Sequence, residues 1–133
     1  MKIVCAIDGS RYSEWALDWL RHLAPPDESS LLLVHAVDLA QFKTLSRLDR
    51  KARATLVKVL DFSLEGAARL LEGAELKAAR TWGRARARLL RGRAAEAIVR
   101  SAEREEADFL VIGSRGVTEF QPMLLGSTSR KVL

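Results

Sequence analysis

One cysteine and two histidines in 133 residues leave little for several kinds of chemistry. Cys5 cannot form an internal disulfide, and its apolar strand-like surroundings predict a buried, inert thiol. His22 and His35 have no further histidine or cysteine at ligand spacing, so no metal site of those types is expected. No apolar run approaches the roughly 20 residues of a membrane span. Met1-Lys2-Ile3-Val4-Cys5-Ala6 goes straight into a strand-like run and makes a poor signal peptide. A reducing cytoplasm is the expected compartment. Common catalytic and nucleotide signatures are missing too. GxxxxGK[ST] is absent, since Lys131 stands five residues after Gly126 and no upstream glycine has the required gap. GxGxxG does not follow the first strand, there is no GxSxG elbow, and no spacing singles out a Ser/His/Asp set.

What is present describes one domain over residues 1–133, with 48% hydrophobic and 29% charged residues, enough to bury a single core. The net charge of +5 comes mainly from arginine and permits an anionic partner such as a nucleotide. Ile3 to Ile7 form a short continuous apolar run ending at Asp8-Gly9-Ser10, which predicts a strand covered on both faces. Tyr12, Trp15, Ala16, Trp19, Leu20 and Leu23 recur at helical spacing, and Pro25-Pro26 ends that helix. Tyr12, Trp15 and Trp19 are expected to anchor the helix in the core; base stacking is the sharper alternative. Leu31 to Asp38 reads as a second buried strand, completing a βαβ unit. His35 lies inside it, as a satisfied core histidine or as a catalytic one.

Residues 39 to about 82 lack proline and read as a loop followed by a long helix, with Gly66 and Gly73 as candidate kinks or ends. From Arg84 to Arg93, arginine alternates with small or apolar residues. A third strand near Arg86–Arg91 at a sheet edge is expected, since charge discourages edge pairing. A basic stripe for nucleic acid or phosphate is the alternative, although no aromatics are interleaved for base stacking. Ala94, Ala95, Ile98, Val99 and Ala102 predict another helix to about Glu106, and Phe109 to Ile112 a fourth buried strand.

This order predicts an α/β fold: an open parallel sheet with helices on both faces. Ligands in such sheets sit beyond the carboxyl ends of the strands, where the strand order reverses. Two strand ends carry suitable chemistry: Asp8-Gly9-Ser10 after the first and Gly113-Ser114-Arg115-Gly116 after the fourth. Nine residues after Gly116 comes Gly126, followed by Ser127, Thr128 and Ser129. Glycines admit close backbone approach, and a glycine before Ser/Thr resembles a helix start whose free N–H groups attract anions. Read alone, the segment is either a plain turn and cap or a phosphate cradle. If the two strands are neighbours, Asp8 can accept from a ribose hydroxyl or base N–H while the glycine loop takes phosphates and Arg115 adds charge.

Over nearly its whole length the chain resembles the universal stress protein family. The resemblance rests on Asp8-Gly9-Ser10, the helix with Ala16, the second strand with His35, and Gly92 with Ile98 six residues on. It continues through Ala107-Asp108-Phe109-Leu110-Val111-Ile112-Gly113-Ser114-Arg115-Gly116 and Leu124-Leu125-Gly126-Ser127-Thr128-Ser129. The family's nucleotide-binding branch is marked by G-x-x-G, nine residues, then G-[S/T]; Gly113, Gly116, Gly126 and Ser127 have that spacing. The resemblance implies an ATP-binding, adenine-nucleotide α-hydrolase-like (Rossmann-like) fold with strand order 3-2-1-4-5, and a homodimer. It implies that Asp8 holds the adenosine part and that Ala6 and Ala36 line the adenine pocket. Ile112, Gly113, Gly116, Gly126, Ser127, Thr128 and Ser129 would surround ribose and phosphates. Ser10, Ser114 and Arg115 lie in the same loops and complete the expected site, with Mg2+ a possible companion of ATP. The implied role is a nucleotide-responsive regulator in the stress response, without fast turnover.

Family members continue through a full last helix into a fifth strand, whereas this sequence stops at Leu133, about two turns into that helix. Four strands in the order 3-2-1-4 are therefore expected, with the fourth strand's flank open and the strand that commonly builds the dimer missing. Two other functions compete: a slow ATP hydrolase with Asp8 as the one identifiable base, and a nucleic-acid surface on Arg84–Arg93.

Overall fold

The computed structural model describes residues 1–23, 25–43, 47–114 and 127–132. Its elements are β1 (Lys2–Ala6), α1 (Arg11–Leu23), β2 (Ser30–Val37), α2 (Arg50–Ala79), β3 (Ala85–Arg91), α3 (Ala94–Arg104), β4 (Phe109–Ile112) and α4 (Ser127–Val132). The strands form one parallel sheet in the order β3-β2-β1-β4. This is the expected α/β architecture, with β3 at an edge. Among the described residues β4 is the outermost strand on the other side.

Alternation along β1 explains its unbroken apolar run. Ile3, Cys5 and Ile7 pack under α1 and α2, against Leu17, Leu20, Leu71 and Ala78. Val4 and Ala6 point to the opposite face and meet Val34 and Ile98 beneath α3. A strand covered on both sides has no polar face to show. Cys5 is fully enclosed, and burial pushes its thiol up to about 12. Asp108 fixes the register of β4: its carboxylate accepts from the Lys2 N–H (2.7 Å), and its own N–H donates to the Lys2 carbonyl (2.8 Å).

The first helix departs from the expected face. α1 buries Ser13, Leu17 and Leu20, while Trp15 and Trp19 are 54% and 64% exposed. At the helix start the Tyr12–Ser13 backbone lies against Gly113, and the Ser13 hydroxyl is held by the Asp8–Ser10 loop. These contacts seat the Ser13, Leu17 and Leu20 side of α1 inward and leave Trp15 and Trp19 on the outer side. Tyr12 and Trp15 meet edge to face at 5.6 Å, with the Arg11 guanidinium over both rings. The tryptophan that enters the core is Trp82, 2% exposed, in the turn between α2 and β3.

α2 starts at Asp49, whose carboxylate accepts from the Ala52 N–H at 2.8 Å. It runs through Gly66 and Gly73 to Ala79 as one helix, without the expected break. Packing in its second half, through Ala67, Leu71 and Ala78, offsets two glycines that each cost about 1 kcal/mol. Its first half has no buried residue, and Phe62 there is 72% exposed.

Candidate functional site

The strand order reverses at β1, whose neighbours are β2 on one side and β4 on the other. The two strand ends singled out in the sequence are therefore adjacent. Ala6 is in register with Val34 of β2 and Ile112 of β4. The chain leaves β1 through Asp8 and Gly9, whose φ of 81° lies in the left-handed region that glycine adopts without strain.

Short polar side chains stitch this loop together. The Ser10 N–H donates to Asp8 Oδ1 at 2.9 Å. Ser10 caps α1, its Oγ accepting from the Ser13 N–H at 3.3 Å. Ser13 Oγ donates to the Ser10 carbonyl at 2.9 Å and accepts from the Asp8 N–H at 3.4 Å. His35 pins the end of β1 from the next strand: its Nδ1 lies 2.7 Å from the Ile7 carbonyl. A carbonyl only accepts, so Nδ1 carries the proton in this contact. His35 is thus the satisfied histidine of the plainer expectation.

Gly113 and Ser114 follow β4. A Cβ on Gly113 would lie 2.9 Å from the Ser13 nitrogen and 3.0 Å from the Tyr12 carbonyl carbon. The Gly113 backbone is therefore pressed against the start of α1, beside the Asp8 loop. Ser129 Oγ donates to the Gly113 carbonyl at 2.9 Å, tying α4 to the end of β4.

Of the expected site, Ala6, Asp8, Ser10, Ile112, Gly113 and Ser129 are linked through these pairings and contacts. Ala36 is near the end of β2, opposite Leu90. Ser114 is exposed, and Thr128 and Ser129 are half-buried on α4. Arg115, Gly116 and Gly126 lie outside the described residues, as does the side chain of Ser127, the first residue of α4.

On the α3 side, a cavity of about 800 Å³ opens where β2 ends and α3 and α4 begin. Thr128 lines it, together with Asp38, Arg93, Glu96 and Lys131. Its volume falls within the range of ordinary ligand pockets. Asp38 and Lys131 are additions to the expected site, and Arg93 was expected only as the end of the Arg84–Arg93 basic stretch. Asp38 was legible as a carboxylate ending an apolar strand; the other two are brought in only by the packing of α3 and α4. Arg93 pairs with Glu96 at 3.7 Å, both exposed. Among the described residues no group of three or more His, Cys, Asp or Glu is placed to hold a metal ion. None of the described helices is long and apolar enough to cross a membrane.

Comparison with known proteins gives this geometry its family. The universal stress protein family profile matches residues 1–133. Universal stress protein YxiE of Bacillus subtilis is 31% identical over 133 residues, covering 98% of this chain and 90% of that protein. The structure of universal stress protein UspA from Lactobacillus plantarum superposes with a TM-score of 0.81 at 19% identity, covering 99% of this chain and 89% of the other. A universal stress protein solved in complex with cAMP gives a TM-score of 0.67 at 23% identity, covering 99% and 88%. From the switch point at β1 to the Ser129 tie on β4, the chain belongs to the universal stress protein family.

Proposed function

We propose that this chain is a single-domain, nucleotide-responsive regulatory protein of the stress response. It binds ATP, with Mg2+, in the crevice beyond the carboxyl ends of β1, β2 and β4. The observation that carries this reading is the junction of the Asp8 loop and Gly113 at the point where strand order reverses, with α4 tied to it by Ser129. The spacing of Gly113, Gly116, Gly126 and Ser127 supports a phosphate-binding loop, and the cAMP complex of a structural relative supports adenine nucleotides as the ligand class.

The residues present fit such a ligand. Asp8 offers a carboxylate to ribose or base hydroxyl and amino groups. Ala6 and Ala36 leave room for a flat base. Thr128 supplies a hydroxyl, and Arg93 and Lys131 line the neighbouring cavity with positive charge for phosphate oxygens. The protein works in the cytoplasm, and a homodimer is its proposed assembly.

Calorimetry with ATP and magnesium tests the reading. Saturable binding is expected, weakened about tenfold or more in Asp8→Asn, since a hydrogen bond to a charged group contributes about 1.5–3 kcal/mol. Asparagine keeps the Oδ1 acceptor for the Ser10 N–H, so the fold should persist. Absence of binding at millimolar ATP by the folded protein refutes the proposal.

A further inference from the structure

We propose a second anion site, between β3 and α3, built for a phosphate group. A cavity of about 240 Å³ lies there, lined by Arg88 and Arg91 of β3 and by Arg100, Ser101 and Arg104 of α3. Arg88 shares the α3 face of β3 with Leu90, while Arg91 has the parity of Leu89 and meets the cavity at the strand end; with Arg100 and Arg104 of α3 beside them, these like charges repel one another unless an anion joins them. Arg88 has a partner in Glu105, at 2.6 Å. Arg91, Arg100 and Arg104 are in no ion pair among the described residues.

The second observation is independent of charge. Ser101 is only 5% exposed, yet its Oγ has no hydrogen-bond partner. A helical serine ordinarily returns its hydroxyl to the carbonyl four residues back, and an unpartnered buried hydroxyl costs about 1–3 kcal/mol. Ser101 lines the arginine cavity, and its Oγ, enclosed while no anion is bound, comes within reach of a phosphate oxygen once its χ1 turns toward the opening, the guanidinium forks holding the other oxygens.

The chemistry selects the ligand. Guanidinium pairs match the oxygen spacing of phosphate. Leu90 and Ala97 supply apolar lining, which suits a small organic group attached to the phosphate. No aromatic side chain lines the cavity, so it lacks the stacking surface that single-stranded nucleic acid uses. The site recognises a phosphate dianion, free or carried on a small monoester. It lies along the edge of the sheet opposite β4, so it stands or falls separately from the nucleotide crevice.

Amide NMR titrations of the intact protein with sodium phosphate and with ribose 5-phosphate, against chloride at matched ionic strength, test the proposal. Saturable shifts confined to 88–91 and 97–104 are expected. Tighter saturation by ribose 5-phosphate supports a monoester ligand, and saturation by phosphate alone supports the free ion. Arg100→Gln with Arg104→Gln should weaken binding about tenfold or more, and Ser101→Ala roughly threefold. Ser101→Ala should leave stability in phosphate-free buffer unchanged or raised. Three results overturn the proposal: shifts that rise linearly with both anions, a Ser101→Ala variant that is less stable without phosphate, or binding of a single-stranded oligonucleotide with no response to either small anion.

Discussion

Among the described residues, the two outer strands of the sheet contrast sharply. β3 shows arginine outward: Arg86, Arg88 and Arg91 are exposed, while Ala85, Ala87 and Leu89 pack inward against the α2 side. β4 is wholly apolar, and its first residue, Phe109, is 53% exposed. Charge on an edge strand discourages a further strand from pairing, whereas an apolar edge does not. The contrast also divides the chemistry. The charged edge builds the arginine cavity with α3. The apolar strand adjoins the switch point, where backbone closeness and short polar side chains do the recognition.

Each edge is held by one tight feature, and removing these should give the largest effects. Trp82 fixes the turn into β3, so Trp82→Ala should cost about 3–5 kcal/mol in urea unfolding. Equal stability of that variant and the parent would mean that β3 is held by the sheet alone. Gly113 is the corresponding feature at β4. Gly113→Ala would place a methyl 2.9 Å from the Ser13 nitrogen and should cost about 1–3 kcal/mol, read as a lower melting temperature. Amides of β4 should lose exchange protection before those of β3.

Cys5 sits in β1, inside the sheet, and gives a pH test. Its folded-state value is raised from 9.0 to about 12, so the folded protein keeps the proton after the unfolded chain has lost it. The unfolded state then binds fewer protons, and stability falls as pH rises above 9.0. Below that window the thiol is neutral in both states and adds no slope. A loss of about 1.4 kcal/mol per pH unit is expected, absent in Cys5→Ala. Parallel pH profiles for the two proteins would show that the thiol is not enclosed.

The surface changes should be smallest. Arg88→Ala removes a partly exposed pair with Glu105 and should cost at most about 1 kcal/mol in chemical denaturation. Trp19→Ala should change stability within about 0.5 kcal/mol. A larger loss there would return α1 to the orientation first expected from its spacing.

The sheet was legible because its strands are short, unbroken apolar runs, and the arginine alternation marked β3 as an edge. The helix face was not. Counting Trp15 and Trp19 as apolar rotates α1 by about one residue, and only the seating of the Tyr12–Ser13 backbone against Gly113 shows which side faces the sheet. Trp82 was overlooked because a single aromatic in a turn has no periodicity. In the candidate site, Asp8, Ser10 and Gly113 were readable from strand ends and turn chemistry. Arg93 and Lys131 depend on how α3 and α4 pack at the crevice. The arginine cavity depends on β3 lying beside α3, and Ser101 gives no signal in the sequence beyond its place on a helix.

Amide NMR during titration with ATP and magnesium separates the two edges most directly. The expected result is saturable shifts at Asp8, Ser10, Ala36, Gly113, Thr128 and Ser129, which Asp8→Asn weakens and Arg100→Gln with Arg104→Gln does not. No shift at millimolar ATP, or shifts confined to the β3 and α3 arginines, would contradict a nucleotide site at the β1 switch point.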